Sequence, residues 1–454
     1  MLINVRLGIL LLLTFGASTF MTKNNPRTIR AWTMYDWANS VYSLAITTAV
    51  FPIYFASATR EASGSDHIPF LGIGISSSVL YSYAISFSFF LLLFISPILS
   101  GVADFSGRKK TFMQFFATLG SFSCAMLFFF TGDNVEWGVT FSILASIGYA
   151  GSLVFYNAYL PEIATHDRLD KISAKGFSMG YAGSVIHLVL ALILIMNYSA
   201  FGLPGEGLAS RISFLSVGIW WFAFAQYSFY YLPVSPERKP LQNRILSKGF
   251  RELRGVWQQL RSLPKVKTFL TAFFLYNMGV QTVMLLAATF GDQELKLETA
   301  FLIQTVLAIQ LVAIAGAYLF SRISHKKGNV YSLSAMLAIW IFICAGAFVV
   351  ENKWSFMGLA IIVGLVMGGI QSLSRASYAK LLPDTENTAS FFSFYDVLEK
   401  AGTMIGTGIF ATVLALWENM RLSLIPLTLF FILGMLVLQR LRGTPELQTS
   451  FQAS

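Results

Sequence analysis

Six ionisable side chains stand inside otherwise apolar stretches, and they are the groups able to do chemistry there: Asp36, His187, Arg375, Asp396, Glu399 and Lys400. A carboxylate facing a base across a gap forms an ion pair that can be made and broken. A carboxylate or an imidazole can carry a proton, the imidazole with an ordinary pKa near about 6.5. A guanidinium can fork onto a carboxylate. Asp36, in RAWTMYDWANSVYS (30–43), has three open uses: pairing with Arg375 or Lys400, binding a solute or a proton, or reaching back to lipid headgroups. Asp396 and Lys400 are four residues apart on one helix face, so a local pair competes with a longer-range one. His187 is open between a proton carrier and a structural hydrogen-bond donor. The four histidines, His67, His166, His187 and His325, fall in separate segments with no metal-protease spacing, so an enzyme is not expected.

The elements that must position these groups follow from composition. The chain has 454 residues, of which 55% are hydrophobic and 12% charged, against about a quarter charged in soluble domains. A helical span needs about 20 mostly apolar residues. Twelve such runs are expected near 31–57, 77–100, 111–131, 137–160, 176–199, 210–233, 267–290, 299–321, 330–350, 354–378, 389–416 and 421–441. The runs are continuous rather than alternating, which disfavours a strand barrel. In this setting a mid-membrane charge costs about 2.5–3.5 kcal/mol on insertion scales, and Asp36 sits about two turns inside the first span. Cys124 and Cys344 each lie in an apolar run and are read as buried small hydrophobes.

The net charge of +10 is divided among loops. With both ends on one side, that side holds 24 Lys and Arg and the other only five: Arg60, Arg211, Lys296, Lys353 and Arg421. The positive-inside rule makes the basic side cytoplasmic. The connector VSPERKPLQNRILSKGFRELRGVWQQLRSLPKVK (234–267) carries nine basic and two acidic residues and is expected to lie along anionic lipid. Nucleic acid is not an expected partner, since no soluble domain presents the charge. Residues 1–20 resemble a short signal sequence, yet a cleaved signal would oppose the charge bias. Translation is expected to start at Met21, and N-terminal sequencing that found Met1 retained would reject this.

The halves flanking the connector echo each other. YNAYLPE (156–162) and YAKLLPD (378–384) each close the fourth span of a half, and MYDWANSV (34–41) and LYNMGVQT (275–282) share a Tyr and an Asp/Asn position in the first. The expected organisation is an N-terminal extension of doubtful status (1–20), two six-helix bundles (21–233 and 267–441), a basic connector (234–266) and a tail (442–454), the bundles enclosing a cavity that faces either side in turn. The loop GVADFSGRKK (101–110) adds a latch. Gly101 and Gly107 are read as allowing a tight turn, Asp104 as accepting from a neighbouring helix N-terminus, and Arg108 to Lys110 as holding the loop at the basic face. The counterpart SRISHKKG (321–328) lacks the Asp, so a latch is expected only in the first half.

GVADFSGRKK resembles the loop signature of the major facilitator superfamily. MYDWANSVYSLAITTAVFPIYF, YNAYLPEIA, AKGFSMGYAG, FLYNMGVQTV, GGIQSLSRASYAKLLP and FFSFYDVLEKAG resemble its vacuole-effluxer-like branch, over residues 25–440. The resemblance implies an all-α integral membrane protein of the major facilitator fold, with twelve transmembrane helices in two six-helix bundles, working as a secondary transporter. Cavity-lining helices in this superfamily carry over as candidate solute contacts Trp37, Asn39, Ser40, Tyr42, Tyr156, Asn157, Tyr276, Asn277, Gln281, Gln371, Ser374 and Arg375; the competing reading is that many only bond helix to helix. Gating or coupling candidates are Asp36, Gly101, Asp104, Gly107, Arg108, His187, Asp396, Glu399 and Lys400. The expected partners are a small-molecule solute, protons and membrane lipids; no cofactor or metal is expected, and a monomer in a bacterial inner membrane is. An amino acid or short peptide is the cargo suggested by analogy. Lipophilic drugs, lysolipids or cell-wall fragments are the alternative, as is a non-transporting receptor.

Overall fold

The computed structural model describes residues 22–65, 67–70, 72–234 and 245–448. Met21, the extension 1–20, residues 235–244 of the connector and the last six residues lie outside the described residues.

The first crossing starts where Asn25 caps it: the Asn25 side chain accepts from the backbone N–H of Arg27 and Thr28, and Pro26 takes the first helical position. This helix, α1 (Pro26–Tyr42), continues as a π-helical segment, Ser43–Ala49, and then as α2 (Phe51–Ser63), with a 45° bend between the two parts. Pro52 explains the break. It has no N–H to return to the preceding turn, and its ring crowds the carbonyl four residues back. Val50 N bonds Ala45 O at 3.0 Å instead, an i to i−5 closure. A two-stranded antiparallel hairpin follows, β1 (His67–Phe70) with β2 (Ile73–Ser76), pairing His67 with Ser76. No sequence signal had suggested it.

The remaining helices are α3 (Ser77–Ser106), α4 (Lys109–Met126), α5 (Val135–Ala158), α6 (Leu169–Met196), α7 (Glu206–Tyr231), α8 (Ile245–Ser262), α9 (Pro264–Gln293), α10 (Thr299–Lys327), α11 (Asn329–Ala347), α12 (Lys353–Leu381), α13 (Thr388–Trp417) and α14 (Ile425–Gln439). Among the described residues eleven helices are long and apolar enough to cross a membrane, and the bent pair makes a twelfth crossing. The helix α8 lies inside the connector and is too basic to cross.

Small residues let the helices close on one another. Along α6, Gly176, Gly180 and Gly183 lie against Asp36, Ser40 and Trp37 of α1, with no room for a Cβ. Between α10 and α12, Gly316, Gly364 and Gly368 each meet a facing backbone carbonyl. At the face opposite the basic loops, Arg421 pairs with Glu294 (2.7 Å) and donates to the carbonyls of Ala347 and Val350, gathering three helix ends of the second bundle.

One reading of the loop motif is corrected. Gly101 is not in a turn, because α3 runs on to Ser106. Gly107 ends it, with φ +64° in the left-handed region. Gly101 instead takes the backbone of Gly249 from α8 directly against it, and a Cβ there would meet the Gly249 carbonyl. Gly101→Val is therefore expected to lift α8 off α3. Faster tryptic cleavage after Arg251 and Arg254 in the folded protein would report it, and an unchanged cleavage rate would contradict it.

Candidate functional site

A cavity of about 180 Å³ lies between the bundles. Of the candidates, Ser40, Asn157, Tyr276, Asn277, Gln281, Gln371, Ser374 and Arg375 line it, together with Asp36 and Glu399. The rings of Tyr149, Phe177, Tyr181, Phe273 and Tyr395 complete the walls; these were not singled out in the sequence. Tyr181 donates to Gln371 across the two halves at 2.5 Å, and the Tyr276 and Ser374 hydroxyls are bonded at 2.7 Å. Gln281 donates to Glu399 Oε1 at 3.0 Å, and Asn277 to the Glu399 carbonyl at 3.2 Å. Among the described residues no cation is within ion-pairing distance of the Glu399 carboxylate.

Four of the solute candidates sit behind this wall. Trp37 stacks on Trp220 (5.5 Å) and packs on Gly183. Tyr42 packs on Tyr149 and Trp221. Asn39 is fully buried, its Oδ1 accepting from the Ser40 hydroxyl. Tyr156 is fully buried and turned to Asp36. Polar and apolar residues are scattered around α1 without an amphipathic stripe, so the sequence gives no face to read and α1 residues one position apart diverge between cavity and packing. His187 is also outside the lining: its Nε2 is bonded to Ser216 Oγ at 3.0 Å and its ring meets Trp220 edge-on.

On the basic side of the cavity the halves are tied by buried polar groups. Arg375, on α12, is 3% exposed. Its Nη2 is 3.5 Å from Asp36 Oδ2 on α1. Its Nε and Nη2 donate to the Ser173 hydroxyl and carbonyl on α6, and Nη1 donates to Asn157 on α5. The guanidinium lies over Phe177 (4.2 Å) and Trp32 (4.7 Å), where cation–π attraction adds to the ion pair. Tyr156 donates to the same Asp36 oxygen at 2.5 Å, and Trp32 Nε1 bonds the Tyr156 carbonyl at 2.9 Å. Of the two bases open to Asp36, Arg375 is the one in reach; Lys400 pairs with Asp396 one turn away on its own helix. The Gly176 Cα faces Asp36 and Arg375 with no space for a side chain. Gly176→Val is expected to part this pair and lower the thermal unfolding temperature by several degrees. An unchanged melting curve would contradict the packing.

A second tie joins α6 to the other half. Asp170 accepts from Lys380 Nζ (2.8 Å), Ser324 Oγ (2.9 Å) and Asn329 Nδ2 (2.9 Å), all buried, and Lys380 also donates to Asn329 Oδ1. The expectation of a latch in the first half alone is thereby corrected. The α10–α11 junction does engage the first bundle, with the acid carried on the facing helix instead of on the loop. A third tie is made by Asp104, which accepts from the backbone N–H of Ala389 (3.2 Å) and Ser390 (2.7 Å). No side chain of its own caps the start of α13, so Asp104 caps it from the opposite bundle. Next to it Glu162 pairs with Lys109 and accepts from Thr388 Oγ1 at 2.5 Å. Arg108 occupies the turn before α4, and Lys110 donates to the Leu232 carbonyl.

This arrangement holds no metal-ligand cluster among the described residues. It offers rings, amides and the carboxylates of Asp36 and Glu399 to a small polar solute, with ion pairs between the halves on its basic side. The sequence model described as vacuole effluxer Atg22 like matches residues 24–444. The MFS-type transporter YxiO of Bacillus subtilis (strain 168) is 30% identical over 426 residues, covering 92% of this chain and 95% of that protein. Autophagy-related protein 22-2 of Aspergillus clavatus is 22% identical over 482 residues, covering 84% and 77%. Among solved structures, the proton:xylose symporter XylE bound to 6-bromo-6-deoxy-D-glucose superposes with a TM-score of 0.68 at 13% identity over 91% of this chain and 95% of that one. The fucose transporter FucP in the outward conformation gives 0.66 at 12% identity over 93% and 99%. Fold, membrane crossings and relatives agree: the chain is a multi-pass membrane transporter of the major facilitator superfamily and belongs to its vacuole effluxer Atg22-like family.

Proposed function

We propose that the protein is a secondary active transporter of small zwitterions, amino acids or short peptides, driven by protons and working by alternating access, with its basic face in the cytoplasm. The observation that carries the cargo class is the pairing of groups in one cavity: the Glu399 carboxylate suits an ammonium, Arg375 and the amides of Asn277, Gln281 and Gln371 suit a carboxylate, and tyrosine and phenylalanine rings enclose the rest. Glu399, held by an amide rather than by a cation, is the group assigned to proton exchange. The three polar ties between the halves support reading this conformation as closed to the basic face.

The test compares metabolites in knockout and wild-type cells, then measures flux of the leading solute in liposomes under an imposed pH gradient. Uptake of a zwitterion that rises with the gradient is expected. Glu399→Gln is expected to abolish the gradient dependence and to weaken binding by about ten- to a hundredfold, a hydrogen bond to a charged group being worth about 1.5–3 kcal/mol. Flux confined to lipophilic compounds, or equal gradient response in Glu399→Gln, would overturn the reading. A complete lack of flux over a broad panel would favour a receptor.

A further inference from the structure

The connector helix α8 has two unlike faces. One is docked. Gly249 lies against Gly101 and Val102 of α3, Val256 and Leu260 are buried, and Lys248 Nζ lies 5.2 Å over the Phe105 ring. The same helix reaches the second bundle: Glu252 accepts from Asn387 Nδ2 at 2.6 Å, and Trp257 packs on Phe394 of α13 at 5.5 Å. Two residues after α8 ends, α9 begins. The helix thus straps both halves at the level where the α3 and α13 ends meet the basic face.

The other face is exposed and has a definite chemistry. Phe250, Arg254, Trp257 and Arg261 recur at helical spacing along one stripe, with Arg251 beside it. Phe250 is 59% exposed and Trp257 47%. The Arg261 guanidinium lies 5.5 Å from the Trp257 ring centre. Large apolar groups exposed between arginines, on a helix fixed at the end of membrane crossings, match the boundary where acyl chains give way to headgroup phosphates. On an aqueous face Phe250 would stay mostly in water, and Trp257 would keep about half its surface there despite its contact with Phe394.

We propose that this stripe binds anionic phospholipid of the basic-side leaflet, and that the occupied strap holds the two halves closed at that face. The strap function rests on the alternating-access reading; the lipid surface does not. Once seated, Phe250 and Trp257 enter the acyl boundary while Arg251, Arg254 and Arg261 meet phosphate oxygens. Opening the basic face moves α13 away from α3, so α8 must surrender either its first-bundle or its second-bundle contacts. In the proposed arrangement all three arginines meet the headgroups only while α8 is seated on both halves, so anionic lipid favours the closed form.

The full-length protein is reconstituted in bilayers of phosphatidylcholine with and without phosphatidylglycerol. Two readouts are taken. Quenching by brominated lipid, minus that of Trp257→Phe, isolates the Trp257 signal. Spin-label distances between Lys171→Cys and Lys326→Cys, both exposed on the basic face of opposite halves, report closure. Phosphatidylglycerol is expected to increase Trp257 quenching and to raise the ratio of short to long distances by roughly a hundredfold, the effect of three arginines near an anionic surface. The triple variant Arg251→Gln, Arg254→Gln, Arg261→Gln is expected to remove both responses with unchanged thermal unfolding, since all three side chains are exposed. Trp257 quenching that ignores headgroup charge overturns the proposal. Short and long distances in the same ratio in both lipids overturn the strap while leaving alternating access standing. One distance in every lipid counts against alternating access and the strap together.

Discussion

Arg375→Gln is expected to leave the Asp36 carboxylate buried among Tyr156, Trp32 and α6 without its cation, and to weaken closure of the basic face by about 3–5 kcal/mol, the usual cost of breaking one partner of a buried ion pair. Moving a two-state equilibrium from 1:99 to 99:1 takes about 5.5 kcal/mol. A loss of that size therefore carries the protein most of the way from closed to open, and transport falls because the closed state is seldom reached. The neutral double variant Asp36→Asn, Arg375→Gln is expected to regain much of the closure, since no orphan charge is left. The spin-label distances across the basic face read this directly. Equal distances in the single variant and the parent would mean that the pair is a packing detail and not a gate. Charge exchange between the two positions is a stricter test, and failure to restore any lost transport would argue against pairing as the function of Asp36.

The second large effect is expected at the tie around Asp170. Asp170→Leu strands the Lys380 ammonium and the Asn329 amide in a buried site that the Asp170 oxygens now satisfy. Loss of about 3–5 kcal/mol is expected again, seen as a lower unfolding temperature and a longer distance between halves. Asp170→Asn keeps one acceptor oxygen and is expected to fall between parent and leucine variant. Combining Asp170→Leu with Arg375→Gln is expected to give less than the sum of the two losses in closure, because α6 carries both Asp170 and Ser173 and once displaced it releases both ties. Full additivity would mean that the ties act independently.

The twelve crossings are legible because lipid forces each to be a long apolar run, and run length survives any detail of packing. That Asp36 has only Arg375 and Lys400 as possible partners is legible for the same reason, since few charges are tolerated at that depth; the choice between the two, and of pairing over its other uses, is not. Asp170 and Lys380 escape notice because they stand at span ends, where a charge costs little and resembles any loop residue. Their burial comes from contact between bundles, which a linear chain does not display. Gly101 was misread because glycine serves turns and close backbone approach alike, and its partner Gly249 is far along the chain. The choice among α1 residues depends on which side of the helix faces the cavity. Asp36, Ser40 and Ser43, four and three residues apart, face the cavity, whereas Trp37 and Tyr42 turn to packing.

In the proposed cycle one cavity is closed on the basic side by ion pairs between the bundles and opens there when they part. Gln310 lines that cavity and belongs to none of the ties, and both native cysteines are buried. Gln310→Cys in oriented liposomes can therefore be offered a membrane-impermeant thiol reagent from either side. Labelling is expected from the face opposite the basic loops in the parent background, and from the basic face once Arg375→Gln is added. Equal labelling from both faces in the parent background, or protection from the basic face that survives Arg375→Gln, would contradict this cycle.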